Sequence, residues 1–426
     1  MPRIPILIFI FNLILFASCN DADEPAKEIP KDPKIEESLD ESLNIEVGSK
    51  INGQDLTLNS SNSEAVNFGD MYDIKLKLEP QGAQRNDIYE VRIYIVVNPG
   101  AQKYSIQNFS PSRKQVAIGL SCIAEIIYKD TIYYGYEGSV NLVDHRNGKM
   151  DLSVQIKAES LNGLPLELDA GILDLKITPF NSQDCYVDKV ISQMTYTGNT
   201  VIARYYYTSE GKLKYVHFGS EQAGEAFYFS YLNGTVKEFW YSMTTPQDGL
   251  HKVMRSGIVH INSSNRIESM DVMHFYSQSS NDTTSEVQNF YYNETGQLQK
   301  VESRFENNPI PSITEFKYSG KNVIERKWVS SAGPAILTLE NYDNKSGPSR
   351  RIHNSVHENF FFISLFKFDA VYLSLSENNF GYMKNNVWGH LEEASYTYNY
   401  DALGNTVEIK WNSLKGYKIS YKYCGF

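Results

Sequence analysis

Phe290-Tyr-Tyr-Asn-Glu-Thr-Gly-Gln-Leu-Gln-Lys-Val301 decides the fold, because the chain repeats it. Tyr205-Tyr-Tyr-Thr-Ser-Glu-Gly-Lys-Leu-Lys-Tyr-Val216 matches it position for position, and Tyr398-Asn-Tyr-Asp-Ala-Leu-Gly-Asn-Thr-Val-Glu-Ile409 is a third copy. Shorter variants occupy residues 228–239, with a turn at Asn233-Gly234, and residues 316–324, with a turn at Ser319-Gly320; a degenerate one covers 258–267. In each, aromatics alternate along a strand, a polar turn with Gly follows, and a leucine or β-branched residue starts the return. Cross-strand aromatic pairs stabilise such a hairpin by roughly 0.2–1 kcal/mol each, and Gly sits where a Cβ would clash. One hairpin is marginal alone, so consecutive units must stack edge to edge. Residues 185–426 are therefore expected to form a curved antiparallel β-meander. A short helix is expected between Arg351 and Asn386, where the pattern lapses into Phe360-Phe-Phe-Ile-Ser-Leu-Phe366, capping the sheet's open end.

Residues 45–180 carry a second all-β pattern. Asp73-Ile-Lys-Leu-Lys-Leu78 alternates strictly, and residues 88–97 are apolar enough for a central strand. Gly138-Ser-Val-Asn-Leu-Val143, then Arg146-Asn147-Gly148, then Met150-Asp-Leu-Ser-Val-Gln-Ile156 reads as a hairpin on an Asn-Gly turn. Further strands are expected at 166–168 and 172–177. The fold class is all-β: an N-terminal β-sandwich or small barrel, then the meander.

The hairpins after residue 185 resemble YD-repeat, or RHS-like, units. They are closer still to Bacteroidetes surface lipoproteins of unknown function that carry such units. Tyr342-Asp-Asn-Lys-Ser-Gly-Pro348 with Leu375-Ser-Glu-Asn-Asn379 fits that second group. The resemblance implies architecture and almost nothing about activity. Few and irregular copies argue against a large enclosing shell.

The first 18 residues read as an export signal: Arg3, then an apolar run from Ile6 to Phe16 broken only by Asn12, too short to span a membrane. Phe16-Ala17-Ser18-Cys19 resembles a lipoprotein lipobox, which implies lipidation at Cys19 and anchoring by more than one acyl chain. Residues 19–44 read as a disordered acidic tether. From Asn20 to Glu46 there are ten acidic residues, three lysines and three prolines, and no aromatic. The formal net charge of −11 thus sits mostly in the stalk. Acidic residues behind the lipidated cysteine resemble the surface-export signals of Bacteroidetes. The expected location is the outer membrane, lipid-anchored and facing outward, with a periplasm-facing orientation as the alternative.

The remaining chain offers no basic field for nucleic acid, and no P-loop, nucleophile elbow or dinucleotide fingerprint. No cofactor and no metal is expected. His353 and His357, followed by Glu358, lack the intervening glutamate of a zinc-protease helix and read as solvent-facing polar residues. Asp144-His145 belongs to a turn, and Asp401 is expected to bond its own turn backbone. Cys185 and Cys424 bracket the repeats and are expected to form a disulfide, the alternative being two unbridged thiols; Cys122 is expected in the core. The function expected is a non-catalytic scaffold or protein-contact module, not an enzyme. The alternative is a glycan- or nutrient-binding lipoprotein that stacks sugars on exposed aromatics, with Trp240, Trp328, Trp388 and Trp411 as candidates.

Overall fold

The computed structural model describes residues 48–58, 63–80, 87–97, 100–106, 115–116, 122–144, 148–180, 186–194, 198–220, 223–244, 251–275, 283–308, 310–330, 333–357, 375–387, 390–411 and 415–422. The export signal, Cys19, the tether, His145, Cys185, the Phe-rich run at 360–366, Trp388 and Cys424 lie outside the described residues.

The first sheet is built from β1 (Gly48–Ile51), β2 (Gln54–Leu58), β3 (Glu64–Asn67), β4 (Met71–Pro80), β5 (Tyr89–Val96), β6 (Lys103–Ser105), β8 (Cys122–Tyr128), β9 (Thr131–Asp144), β10 (Lys149–Ser160) and β11 (Pro165–Pro179); the intervening β7 (Gln115–Val116) pairs elsewhere. Its order is β1-β2-β4-β3-β11-β10-β9-β8-β5, and the extra pairs β1–β11 and β4–β5 return the path to itself. Strict alternation explains the core: along β10, Met150, Leu152, Val154, Ile156 and Ala158 all turn inward. The two short strands expected at 166–168 and 172–177 are one strand, β11, running through an irregularity at Asp174, whose φ is 55°. Cys122 is a buried free thiol in this core.

The second sheet runs in chain order through β12 (Tyr186–Met194), β13 (Gly198–Tyr207), β14 (Leu213–Ser220), β15 (Ala223–Leu232), β16 (Thr235–Thr244), β17 (His251–Ile261), β18 (Ile267–Phe275), β19 (Thr283–Tyr292), β20 (Leu298–Phe305), β21 (Ser312–Ser319), β22 (Asn322–Ser330), β23 (Gly333–Glu340), β24 (Tyr382–Val387), β25 (His390–Tyr400), β26 (Thr406–Trp411) and β27 (Lys415–Lys422). Each strand is antiparallel to the next, as a meander requires. The sheet is not open, however: β12 pairs β27 from Tyr186↔Lys422 to Met194↔Lys415, closing a sixteen-strand barrel. β7 adds on β17 through His251↔Val116.

The turns explain the repeat. Thr208, Asn262, Asn293 and Asp401 each close the same loop, in which the backbone N–H three residues on donates to the residue's carbonyl. Their side chains accept a further backbone N–H: Lys212, Arg266, Gln297 and Asn405 donate at 3.2, 3.1, 2.8 and 2.8 Å. Gly211, Gly296 and Gly404 take φ of 73°, 85° and 80° in these bends, a conformation that a Cβ makes costly. The residue that starts the return strand, Leu213, Ile267, Leu298 or Val323, is fully buried. Tyrosine closes the unit. Tyr231, Tyr292, Tyr318, Tyr342, Tyr398 and Tyr421 donate their hydroxyls to the carbonyls of Leu213, Ile267, Leu298, Val323, Phe380 and Thr406. All but the Phe380 carbonyl stand at the start of the preceding hairpin's return, and Phe in place of tyrosine could not satisfy them.

The lapse in the pattern does contain a helix, α1 (Pro348–Val356), with Pro at its N-terminus. It caps no free sheet edge, because β12 pairs β27. Ile352 and Val356 pack into the barrel's own core with Val323, Leu337 and Leu339. His353 and His357 are buried with it rather than solvent-facing, and His353 Nδ1 donates to the Ser349 carbonyl at 2.8 Å. The segments 342–348 and 375–379 meet here: Asp343 N–H donates to the Asn379 carbonyl at 3.0 Å, and Ser346 bridges Asn378. Some outward positions of the strands carry opposite charges. Lys317–Glu325, Lys384–Glu393 and Lys410–Glu408 stand at 2.7, 3.6 and 3.0 Å.

Candidate functional site

The strand Cys122-Ile-Ala-Glu-Ile-Ile-Tyr128 buries one carboxylate among apolar residues: Glu125 is 1% exposed. An unpaired charge there would be prohibitive, and the barrel wall supplies its partners. Lys214 Nζ lies 2.6 Å from Oε2, while Tyr228 and Ser230 donate to Oε1, each at 2.6 Å. Lys214 on β14 and Tyr228 and Ser230 on β15 face out of the barrel, towards the first sheet. The Lys214 ammonium also sits over the rings of Tyr94 and Tyr228, at 4.8 and 4.4 Å. Burial pulls Lys214 down to about 8, against the pull of Glu125. Burial also opposes the charge on Glu125, but Lys214 and the three hydrogen bonds hold its carboxyl below the usual range. The pair is ionised at neutral pH, and Asp73, which accepts the Ser209 N–H at 2.6 Å, extends this joint.

A cleft of about 490 Å³ opens beside the joint, on the outer wall across β16–β19 and against Leu161 of the β10–β11 turn. Trp240, Phe275, Met273 and Val287 line it, with Glu238 at its inner end and Asp271 towards its rim. Tyr134 donates to Glu238 Oε2 and meets Trp240 edge-on, with ring centroids 5.8 Å apart. Burial pushes the Glu238 carboxyl up to about 7, the nearby Glu125 charge adding to the rise. Asp271 pairs with His260 at 2.7 Å.

Of these residues the sequence singled out only Trp240. Trp240 is 5% exposed, so it is a packed wall and not an exposed sugar platform; its indole is needed to fill the seam with Tyr134 and Val253. Trp328 is half-buried, and its Nε1 donates to Ser312 Oγ at 2.6 Å. The register places Trp411 opposite Tyr396 and Lys415, its side chain lying outside the described residues, so the four tryptophans form no shared described surface. Asp144 accepts the Tyr72 hydroxyl at 2.7 Å. Asp401 accepts the Leu403 and Asn405 N–H groups, as a turn residue should. Among the described residues no group of three His, Cys, Asp or Glu could hold a metal. Glu125 had one legible signal, a lone charge in an apolar strand. Glu238 had none, since Lys-Glu-Phe-Trp looks like any half-exposed strand.

No family model matches the chain, and no curated protein matches it. Among solved structures it is similar to a porin-like protein from Bacteroides vulgatus ATCC 8482, with 12% identity over 56% of this chain and 99% of that one, at a TM-score of 0.30. A porin-like protein from Bacteroides uniformis ATCC 8492 gives 10% identity over 55% and 98%, at 0.36. TcdB2-TccC3-TEV gives 8% over 80% and 23%, at 0.19.

Proposed function

We propose that the chain is a lipid-tethered, outward-facing outer-membrane lipoprotein whose water-facing barrel serves as a non-catalytic scaffold or protein-contact module. The polarity of the barrel wall carries this reading. A membrane-spanning barrel presents an apolar band about 25 Å tall, and each Lys or Arg at its midplane costs about 2–4 kcal/mol. Here Lys317, Lys384 and Lys410 and their acidic partners occupy outward positions, while aliphatic and aromatic side chains and α1 fill the inside. A wall of this kind favours water on its outside, and attachment then falls to acyl chains on Cys19. The turn geometry and the meeting of segments 342–348 and 375–379 agree with the likeness to YD-repeat lipoproteins. A Cys185–Cys424 bridge belongs to the same reading: the closing register ends at Tyr186↔Lys422, one residue after the first cysteine and two before the second. A non-reducing peptide map with both thiols free would remove the bridge.

Detergent phase separation tests the anchor. The full-length protein should enter the detergent phase, Cys19→Ala should move it to the aqueous phase, and protease added to intact cells should digest the parent. Retention of Cys19→Ala in the detergent phase, or conductance by the purified protein in planar bilayers, would overturn the reading.

A further inference from the structure

We propose that the cleft on the outer barrel wall binds a small organic amine, its apolar body against Trp240, Phe275, Met273 and Val287 and its ammonium on Glu238. This goes beyond the anchored-scaffold reading and does not depend on it. The first support is shape. A volume of about 490 Å³ lies within the range of small-molecule sites, which are mostly apolar with a few placed polar groups.

The second support is the carboxyl. Glu238 is 8% exposed, and Oε2 is committed to the Tyr134 hydroxyl. Oε1 has no hydrogen-bond partner among the described residues, and the residue lines the cleft. A carboxylate at an apolar site calls for a cation, yet no Lys, Arg or His stands among the lining residues. The other two acids of the lining have partners of their own, Asp271 with His260 at the rim and Glu286 with His274, each at 2.7 Å. An anionic ligand would meet these carboxyls, and a neutral one would leave Oε1 unanswered. An ammonium answers it, and the Trp240 ring adds cation–π attraction.

The third support is the exposed apolar surface. Met273 and Val287 are 37% and 41% exposed on neighbouring strands. These two exposed apolar side chains stand in one patch with the buried acid.

Three isosteres serve as probes: tryptamine (cation), tryptophol (neutral) and indole-3-propionate (anion). Each is titrated by calorimetry into the purified protein, with buffer alone as blank. The expected result is one saturable tryptamine site, about tenfold or more tighter than tryptophol, and no heat from indole-3-propionate. Glu238→Gln should equalise tryptamine and tryptophol. Val287→Lys, a change at an exposed position outside the core, should abolish tryptamine binding while leaving the circular dichroism spectrum unchanged. Equal affinity for tryptamine and tryptophol in the parent, tryptamine binding unaffected by Val287→Lys, or no saturable tryptamine heat up to millimolar concentration would each overturn the proposal.

Discussion

Inside the first sheet the buried side chains are aliphatic: Ile74, Leu76, Leu78, Val91, Ile93, Leu152 and Val154 fill it. Inside the sixteen-strand barrel aromatics stand among the aliphatics: Tyr205, Tyr207, Phe218, Phe229, Tyr231 and Phe239, joined by Ile352 and Val356 of a helix brought in from between β23 and β24. The difference follows from ring size. A closed sheet of about eight strands leaves a space that ordinary side chains fill, whereas sixteen strands leave a channel unless something longer enters. Long rings reach further inward than leucine, and a phenol can also satisfy a backbone carbonyl on the way.

The joint between the two regions gives the largest expected effect. Lys214→Met strands the Glu125 carboxylate and should cost about 3–5 kcal/mol in urea unfolding, while adding Glu125→Leu should recover most of it. A cost under 1 kcal/mol for the single change would show that the two regions are held by apolar contact alone.

Next comes a pH effect from the same seam. Glu238 rises from an ordinary 4.5 to about 7 on folding. Between those values the folded state keeps a proton that the unfolded chain has lost. Stability should therefore fall as pH rises from about 4.5 to 7, by up to about 3 kcal/mol from this group. Glu238→Gln should flatten that slope and be more stable than the parent above pH 7, as thermal melts across pH would read. A slope unchanged by the substitution would assign the effect to another group.

The smallest effect sharpens the aromatic comparison. Tyr231→Phe removes a 2.6 Å hydrogen bond to the buried Leu213 carbonyl and should cost about 1–3 kcal/mol. Tyr291→Phe, on the exposed face of a neighbouring hairpin, should stay within about 0.5 kcal/mol. Equal costs at the two sites would mean that the hydroxyls do not matter and ring volume alone fills the barrel.

Much of the repeat was legible because turn chemistry is local. A Thr, Asn or Asp that caps its own loop, a Gly three residues on and an apolar return residue carry their meaning within a dozen positions, so the bends at Gly211, Gly296 and Gly404 were readable before any packing was known. The helix was legible only as a gap in that pattern. Trp240 misled as an exposed platform because burial depends on what covers a strand's outer face, and its cover comes from Tyr134, far earlier in the chain.

The sequence by itself determined the all-β class, the serial order of the hairpins and the residues at their bends, each a matter of neighbours along the chain. Only the tertiary structure decided that β27 returns to β12, that α1 lies inside, and that Glu125 meets Lys214. Closure is the sum of small twists and offsets over sixteen strands, and a buried charge chooses its partner from whatever surface folding brings to it. No single hairpin holds either quantity.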